Sequence, residues 1–228
     1  MLDRLVENAL DFLERSLADF DTAPKYSVIH FYAAVELFLK ARLLAEHWSL
    51  VVAKRQDPDL KKFESGDFQS VTLDEAADKL DKVLQSPLTQ AELSQFRNLA
   101  KHRNRMVHFF HEGATAKAQD DLKQQVAMEQ LKAWYFLNRL LLERWDAVFG
   151  KWRKALAKVT AALKNHHEYL QVIYDHVKPE IDAKVAAGST IEECPSCGFQ
   201  AAEAEEILGD FKHRNCFVCQ FEAQCLTV

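Results

Sequence analysis

The sequence contains few of the residues that interrupt regular helices. Its 228 residues include only six glycines and five prolines, while 48% of the residues are hydrophobic. A fold with many β-strands needs more turn residues than this composition supplies. The composition therefore predicts a mainly α chain, long enough for one substantial core and a small second domain.

Two kinds of hydrophobic segment are also missing from the sequence. The first eleven residues contain Asp3, Glu7 and Asp11, so they lack the basic start and the uninterrupted apolar run of a signal peptide. The longest apolar tract, residues 28–52, is interrupted by four charged side chains, which a bilayer span rarely tolerates. We therefore expect a cytoplasmic protein that neither crosses nor binds a membrane.

An excess of positive charge is absent as well. The formal net charge is -5, whereas indiscriminate binding to nucleic acid is driven by lysine and arginine side chains that neutralise phosphates. Any contact with RNA must therefore come from a local cluster of basic residues.

The spacing of apolar residues predicts a series of helices. Two pairs of residues, Thr72 with Glu75 and Thr89 with Glu92, have the spacing of a capping box and are expected to begin helices. The other expected helices cover residues 2–20, 24–54, 116–150 and 151–177, and Pro179 is expected to interrupt the last of them. We expect three parts: a helical bundle (1–150), a helical extension (151–187) and a cysteine-containing tail (188–228).

The cysteines are confined to this tail. Cys194 with Cys197 and Cys216 with Cys219 form two Cys-x2-Cys pairs separated by 18 residues, the spacing of a four-cysteine zinc ribbon. Four thiolates fill a tetrahedral zinc site, so the expected zinc is structural. Disulfides are the alternative, which a cytoplasmic chain disfavours. Cys225 is left over, either as a spare thiol or as a redox sensor.

One segment of the predicted fourth helix is strongly basic. No acidic residue lies between Leu93 and His111, while seven side chains there are cationic or can become so: Arg97, Lys101, His102, Arg103, Arg105, His108 and His111. In a chain of negative net charge this segment is a concentrated positive site. It is the candidate site for contact with phosphate groups.

A short motif within this segment points to a known family. Arg103 and Asn104 are followed by His108, which resembles the Arg-Asn-x3-His signature of the HEPN superfamily, and residues 35–41 look like the corresponding second helix of that family. The resemblance covers about residues 1–150 and implies an antiparallel helical bundle. Residues 97–102 have the same spacing, so the motif could lie there; we prefer the later copy because it is nearer the end of the helix.

The resemblance implies a metal-independent endoribonuclease that leaves 2′,3′-cyclic phosphate ends. His108 is then the general acid/base, Arg103 stabilises charge on the phosphorane oxygens, and Asn104 orients the phosphate or the histidine. The family also implies a homodimer with a composite site, and a role as a toxin, defence or stress factor with an unknown antitoxin or protein partner. The alternative is a module that binds RNA or protein without cutting it.

Helical geometry adds expectations about the neighbours of the motif. At about 100° per residue, Asn104, His108 and His111 share one face, which Arg97 and Lys101 extend. Arg103 projects instead from an apolar face, and Glu36 lies in an apolar stripe of the second helix. A buried charge needs a partner, so we predict a contact between Glu36 and Arg103, with Lys40 as a competing partner for Glu36.

Overall fold

The protein was analysed as a computed structural model that describes residues 1–109, 113–208 and 211–226. The chain divides into two compact units, residues 1–160 (unit 1) and 161–228 (unit 2). It is mainly helical, as the composition predicted, with a small antiparallel sheet near its C-terminus. The three-part division at residues 150 and 187 stays a prediction.

The described helices fall into a long series that is followed by four strands. The helices are α1 (Leu2–Asp19), α2 (Pro24–Glu46), α3 (Leu60–Ser65), α4 (Leu73–Lys82), α5 (Gln90–His108), α6 (Ala116–Arg139), α7 (Asp146–Phe149), α8 (Arg153–Leu163) and α9 (His167–Ala186). The strands are β1 (Thr190–Glu193), β2 (Gln200–Leu208), β3 (Phe211–Cys216) and β4 (Glu222–Leu226). None of the helices within the described residues is long and apolar enough to span a bilayer.

Both predicted capping boxes are confirmed. The Thr89 hydroxyl accepts a hydrogen bond from the backbone N–H of Glu92, and the Glu92 carboxylate accepts one from the backbone N–H of Thr89. Thr72 and Glu75 exchange the same two bonds at the start of α4. These bonds satisfy N–H groups that have no partner within a helix, and they set where α4 and α5 begin.

Helix α2 lies at the centre of unit 1. It packs against α1, α4, α5 and α6. Its buried side chains surround the helix rather than following one stripe, as expected for a helix covered on several sides. Because α5 packs against both α2 and α6, its residues face two different neighbours.

The C-terminal end of α2 differs from the sequence expectation. The helix was expected to reach about Lys54, but it ends at Glu46 and is followed by a 3-10 turn, Trp48–Val51. His47 has an extended backbone, and its Nδ1 atom accepts a hydrogen bond from the backbone N–H of Ser49. A histidine side chain therefore caps the turn, at a place where neither glycine nor proline marked a helix end.

Pro179 does not interrupt the last helix, although the sequence predicted that it would. Helix α9 continues through it from His167 to Ala186. Proline removes one backbone hydrogen bond, and here both Pro179 and Asp175, whose carbonyl loses its partner, are exposed to water. Ile181, beyond the proline, is buried and favours continuation of the helix.

The sheet of unit 2 is an antiparallel meander. Its strands lie in the order β1, β2, β3, β4, and each pairs with the next along the chain. The first Cys-x2-Cys pair lies between β1 and β2, and the second extends from Cys216, the last residue of β3, into the connection to β4. Short connections between neighbouring strands thus bring distant cysteines to one end of the sheet.

Candidate functional site

The four cysteines of the tail form one cluster. The Sγ atoms of Cys194, Cys197, Cys216 and Cys219 all lie within 4.8 Å of one another. Cys194 Sγ is 3.6 Å from Cys219 Sγ, and Cys197 Sγ is 3.7 Å from Cys216 Sγ. These separations are too long for disulfide bonds, and all four cysteines are free. Four sulfurs bound to one tetrahedral ion at about 2.3 Å lie about 3.8 Å apart, so the cluster could hold a metal ion such as zinc.

The two cysteine pairs have the same local backbone structure. In the first, the N–H of Cys194 donates to the carbonyl of Phe199, and the N–H of Gly198 donates back to the carbonyl of Cys194. In the second, Cys216 makes the equivalent bonds with Phe221 and Gln220. Gly198 and Gln220 both have positive φ angles, 75° and 61°. Each turn therefore needs a left-handed residue directly after its second cysteine, and only the first turn has glycine there.

The thiols of this cluster do not all ionise readily without a cation. Burial raises the pKa of Cys197, and burial also raises the pKa of Cys216 to about 11. Burial opposes ionisation of Cys194 as well, but backbone N–H groups of Cys197 and Ser196 outweigh it and lower the pKa of that thiol. Four thiolates this close repel one another strongly, so a bound cation is what makes the fully ionised cluster stable.

The cysteine cluster is supported by helix residues of the same unit. The Lys164 ammonium group donates to the carbonyl of Cys219 at 3.3 Å and to the side chain of Gln220 at 2.7 Å. The rings of His167 and Tyr174 stack on Phe199, with centroids 5.1 and 5.0 Å away. These contacts fix the tail to the helical part of unit 2.

In unit 1, the structure places Arg103 on the side of α5 that faces α2. Its guanidinium carbon lies 5.6 Å from the centre of the Tyr32 ring, a cation–π arrangement. Its Nη1 atom donates to the Asn104 Oδ1 atom at 2.9 Å. The side chain is therefore held by one ring and one amide, and it is only partly buried.

The expected direct contact between Glu36 and Arg103 is replaced by an indirect one. Among the ion pairs of residues 1–109, none joins Glu36 to Arg103 or to Lys40. Tyr32 is the common neighbour: burial raises its pKa, the Glu36 carboxylate raises it further, and the Arg103 charge lowers it. Glu36 is itself partly exposed. The prediction assumed that Glu36 is fully buried and therefore needs a positively charged partner. A partly exposed carboxylate does not need an arginine within contact distance.

His108 is the last residue of α5 and is exposed, like Asn104 one turn earlier. The structure brings Arg103 and Asn104 together, whereas no side-chain hydrogen bond within the described residues joins His108 to either of them. At about 100° per residue, Arg103 and His108 leave the helix about 140° apart, while Asn104 and His108 are about 40° apart. The side chains of Arg103 and His108 can therefore approach each other only across Asn104.

The remaining predicted site residues have separate surroundings. The Arg97 Nε atom donates to the Asp74 carboxylate on α4 at 2.8 Å, so this cation is paired. Lys101 is exposed and lines a cleft between α5 and α6. His111 lies outside the described residues, and Cys225 lies on β4, where only the backbone is described.

One largely buried pair of residues, His102 and Glu129, was not predicted from the sequence. The His102 Nε2 atom lies 3.0 Å from the Glu129 carboxylate of α6, and the two side chains are only 12% and 18% exposed. His102 belongs to the earlier copy of the motif spacing, residues 97–102. This copy is the feature of the sequence that could have indicated a role for His102. No pattern in the sequence indicates that α6 places a carboxylate opposite that face of α5.

None of three comparisons, with protein-family models, with curated proteins and with solved structures, finds a match to this chain. The resemblance to the HEPN superfamily therefore depends on the motif residues and on residues 35–41.

Proposed function

We propose that unit 1 is a metal-independent endoribonuclease of HEPN type, which cuts RNA and leaves 2′,3′-cyclic phosphate ends. The observation that carries this proposal is the bond from Arg103 to Asn104. It draws a guanidinium from the α2 side of α5 toward the exposed face that Asn104 shares with His108. In the proposed site, this arginine, this amide and the imidazole of His108 bind one phosphodiester.

The proposed reaction assigns one role to each side chain. His108 removes the proton from the ribose 2′-hydroxyl, whose oxygen then forms a bond to phosphorus while the bond to the 5′ oxygen breaks. Arg103 stabilises the negative charge that develops on the phosphorane oxygens, and Asn104 orients the phosphate. The leaving 5′ oxygen takes its proton from the His108 of a second copy, so the active form is a homodimer.

The surroundings of His108 support a dimer. Val107 and Phe109, the residues on either side of it, are 47% and 78% exposed. Apolar side chains this exposed are common at interfaces between subunits. A second copy that covers them also brings its own His108 close to the first, as a composite site requires. A role as a toxin, defence or stress factor, with an antitoxin as partner, belongs to the same proposal.

We propose further that the metal held by the cysteine cluster is zinc and that its role is structural. Four cysteine sulfurs within 4.8 Å of one another, two of the separations being 3.6 and 3.7 Å, fit tetrahedral zinc, and four thiolate ligands leave no position for water or substrate. Zinc then stabilises the fold of the sheet and takes no part in RNA cleavage.

The test is an RNA cleavage assay with the full-length chain in buffer without added divalent ions. We expect cleavage products with cyclic phosphate ends, identified by mass spectrometry, and no requirement for Mg²⁺. His108→Ala should lower the cleavage rate about 10²- to 10⁴-fold, the usual contribution of general acid–base catalysis. His176→Ala, which changes an exposed histidine of α9, is the matched control and should cut like the parent.

Retention of RNA without cleavage by the parent overturns the nuclease proposal and favours the alternative, a module that binds RNA. Cleavage that His108→Ala leaves unchanged also overturns the assignment of the acid/base residue.

A further inference from the structure

An open cleft of about 360 Å³ lies between α5 and α6 in unit 1. Four of its lining residues come from α5 and two from α6: Asn98, Lys101, His102, Arg105, Gln125 and Glu129. On α5 they are spaced by three or four residues, so they share one face of the helix. The proposed nuclease reaction uses none of them.

The cleft carries uncompensated positive charge. Of the described residues that line it, Glu129 alone is acidic, and its two carboxylate oxygens are already bound by His102 at 3.0 Å and by Gln125 at 3.0 Å. Lys101 and Arg105 are both exposed, and neither forms an ion pair with a carboxylate in the described part of the chain. By contrast, Arg97 on the same helix is paired with Asp74. Two cations of α5 that form no ion pair within the described residues, Lys101 and Arg105, thus lie together at the cleft.

Two contacts between α5 and α6 hold the cleft in a fixed geometry. The side-chain amide of Gln95 on α5 donates to the backbone carbonyl of Glu129 on α6 at 2.8 Å. Together with the His102–Glu129 contact, this bond fixes the spacing of the two helices beneath Lys101 and Arg105. Cations on a rigid pair of helices lose less conformational freedom on binding an anion than cations on a mobile loop.

The composition of the lining indicates which part of a nucleic acid fits. Two cations and two side-chain amides can all donate hydrogen bonds to phosphate oxygens, and arginine can do so with two N–H groups at once. No phenylalanine, tyrosine or tryptophan is among the lining residues that the structure describes, and the one ring there, the His102 imidazole, is largely buried against Glu129, so the described lining offers a base little surface for stacking. The chemistry fits the sugar-phosphate backbone and not a free nucleoside or a base.

The position of the cleft relates it to the nuclease motif. Lys101 and His108 are seven residues apart on α5, which places them about 20° apart around the helix and about 10.5 Å apart along it. One extended strand can therefore contact both, but a single phosphate cannot.

We propose that this cleft is a second phosphate-binding site for the RNA strand, which holds a phosphate near the one to be cut. This inference rests on the proposed function, because it takes RNA as the ligand. The site contributes to binding of the strand without regard to base sequence and takes no part in bond cleavage. Lys101 and Arg105 bind the phosphate, and His102 and Glu129 position the cleft.

The test compares binding and cleavage of one fluorescently labelled single-stranded RNA by the full-length chain and its variants. Lys101→Gln combined with Arg105→Gln should raise Kd and KM at least about tenfold and leave kcat within about twofold of the parent. The slope of log Kd against log salt concentration should become smaller by roughly 1.4, about 0.7 for each lost phosphate contact. His108→Ala should keep the Kd of the parent and lose cleavage.

The control is Lys61→Gln combined with Lys62→Gln, which removes the same charge from two exposed positions of α3. Equal weakening of RNA binding by the control and by the cleft variant means that only total charge matters, and it overturns the inference. A cleft variant with the parent Kd and salt slope also overturns it, even if His108→Ala shows that the nuclease proposal is right. If the parent binds RNA through the cleft but never cuts, the inference stands and the nuclease proposal fails.

Discussion

The Arg103 guanidinium lies over the Tyr32 ring, with its central carbon 5.6 Å from the ring centre. This contact joins the proposed catalytic helix α5 to the central helix α2. Tyr32 is almost fully buried, and the Glu36 carboxylate is its second charged neighbour. Tyr32 is therefore a common neighbour of two opposite charges that were predicted from the sequence to be in direct contact.

The burial of Tyr32 predicts a loss of stability at alkaline pH. Its folded pKa is raised above the ordinary value of 10.0, first by burial and then by Glu36. Below about pH 10 the Tyr32 hydroxyl is protonated in both the folded and the unfolded chain. As the pH rises above about 10, the unfolded chain loses this proton before the folded chain does. The free energy of unfolding should therefore fall by up to about 1.4 kcal/mol per pH unit above pH 10. Tyr32→Phe should remove this part of the slope in urea titrations.

Tyr26→Phe is the control for the alkaline experiment, because Tyr26 lies near the start of the same helix but is 55% exposed. It should retain the slope of the parent. If Tyr32→Phe and Tyr26→Phe follow the parent equally, the hydroxyl of Tyr32 is not responsible for the pH dependence.

Arginine at position 103 should not be replaceable by lysine. A guanidinium can lie flat over Tyr32 and still donate Nη1–H to Asn104, whereas a single ammonium group cannot keep both contacts in that geometry. Under the proposed function, Arg103→Lys should lower kcat/KM for RNA cleavage by about tenfold or more while the fold is retained. Arg15→Lys, in the exposed pair with Asp11 on α1, should leave cleavage unchanged. An active Arg103→Lys variant would remove the reason to assign Arg103 a catalytic role.

Under the proposed function, removal of zinc should unfold the sheet of unit 2 and leave unit 1 folded. The sheet is too small to be stable through apolar burial alone, and structural zinc commonly contributes about 10 to 16 kcal/mol in peptides of this kind. Hydrogen exchange in the presence of a chelator should therefore increase in residues 190–226 and stay slow in α2. Cys197→Ser should lower the bound zinc measured by elemental analysis.

Cys225→Ser is the matched control for the metal experiment, because Cys225 is not among the four clustered cysteines. It should bind as much zinc as the parent. Equal loss of zinc from both variants would show that the four-cysteine assignment is incomplete.

The features that the sequence predicted correctly are those determined over short distances along the chain. The capping boxes at Thr72 and Thr89 and the two Cys-x2-Cys turns depend on residues three or four positions apart. The clustering of the two cysteine pairs was predictable because their spacing is that of a four-cysteine metal site. Local patterns thus located most helix starts and the cysteine cluster that could hold a metal ion.

The features that the sequence missed depend on packing between helices. The pairing of His102 with Glu129 needs α5 and α6 to be adjacent, and the position of Tyr32 beneath Arg103 needs the orientation of α5 on α2. The early end of α2 depends on a single histidine that caps the next turn. The periodicity of a single segment cannot predict these contacts. Two of them join residues of different helices, and the third uses a side chain in place of a helical hydrogen bond.

A buried polar network should make a large contribution to the stability of unit 1. The Gln130 amide on α6 donates to the hydroxyl groups of Ser16 and Ser27, at 2.9 and 2.7 Å, and Ser27 donates in turn to the carbonyl of Ser16. These contacts join α1, α2 and α6 at a site without exposure to water. Gln130→Ala removes two hydrogen bonds and leaves a cavity, so the free energy of unfolding should fall by about 2 to 3 kcal/mol in urea titrations. Gln124→Ala, at an exposed position of the same helix, should change it by less than about 0.5 kcal/mol. If the two substitutions have equally small effects, water replaces the amide in the network and the three helices are held together by apolar packing alone.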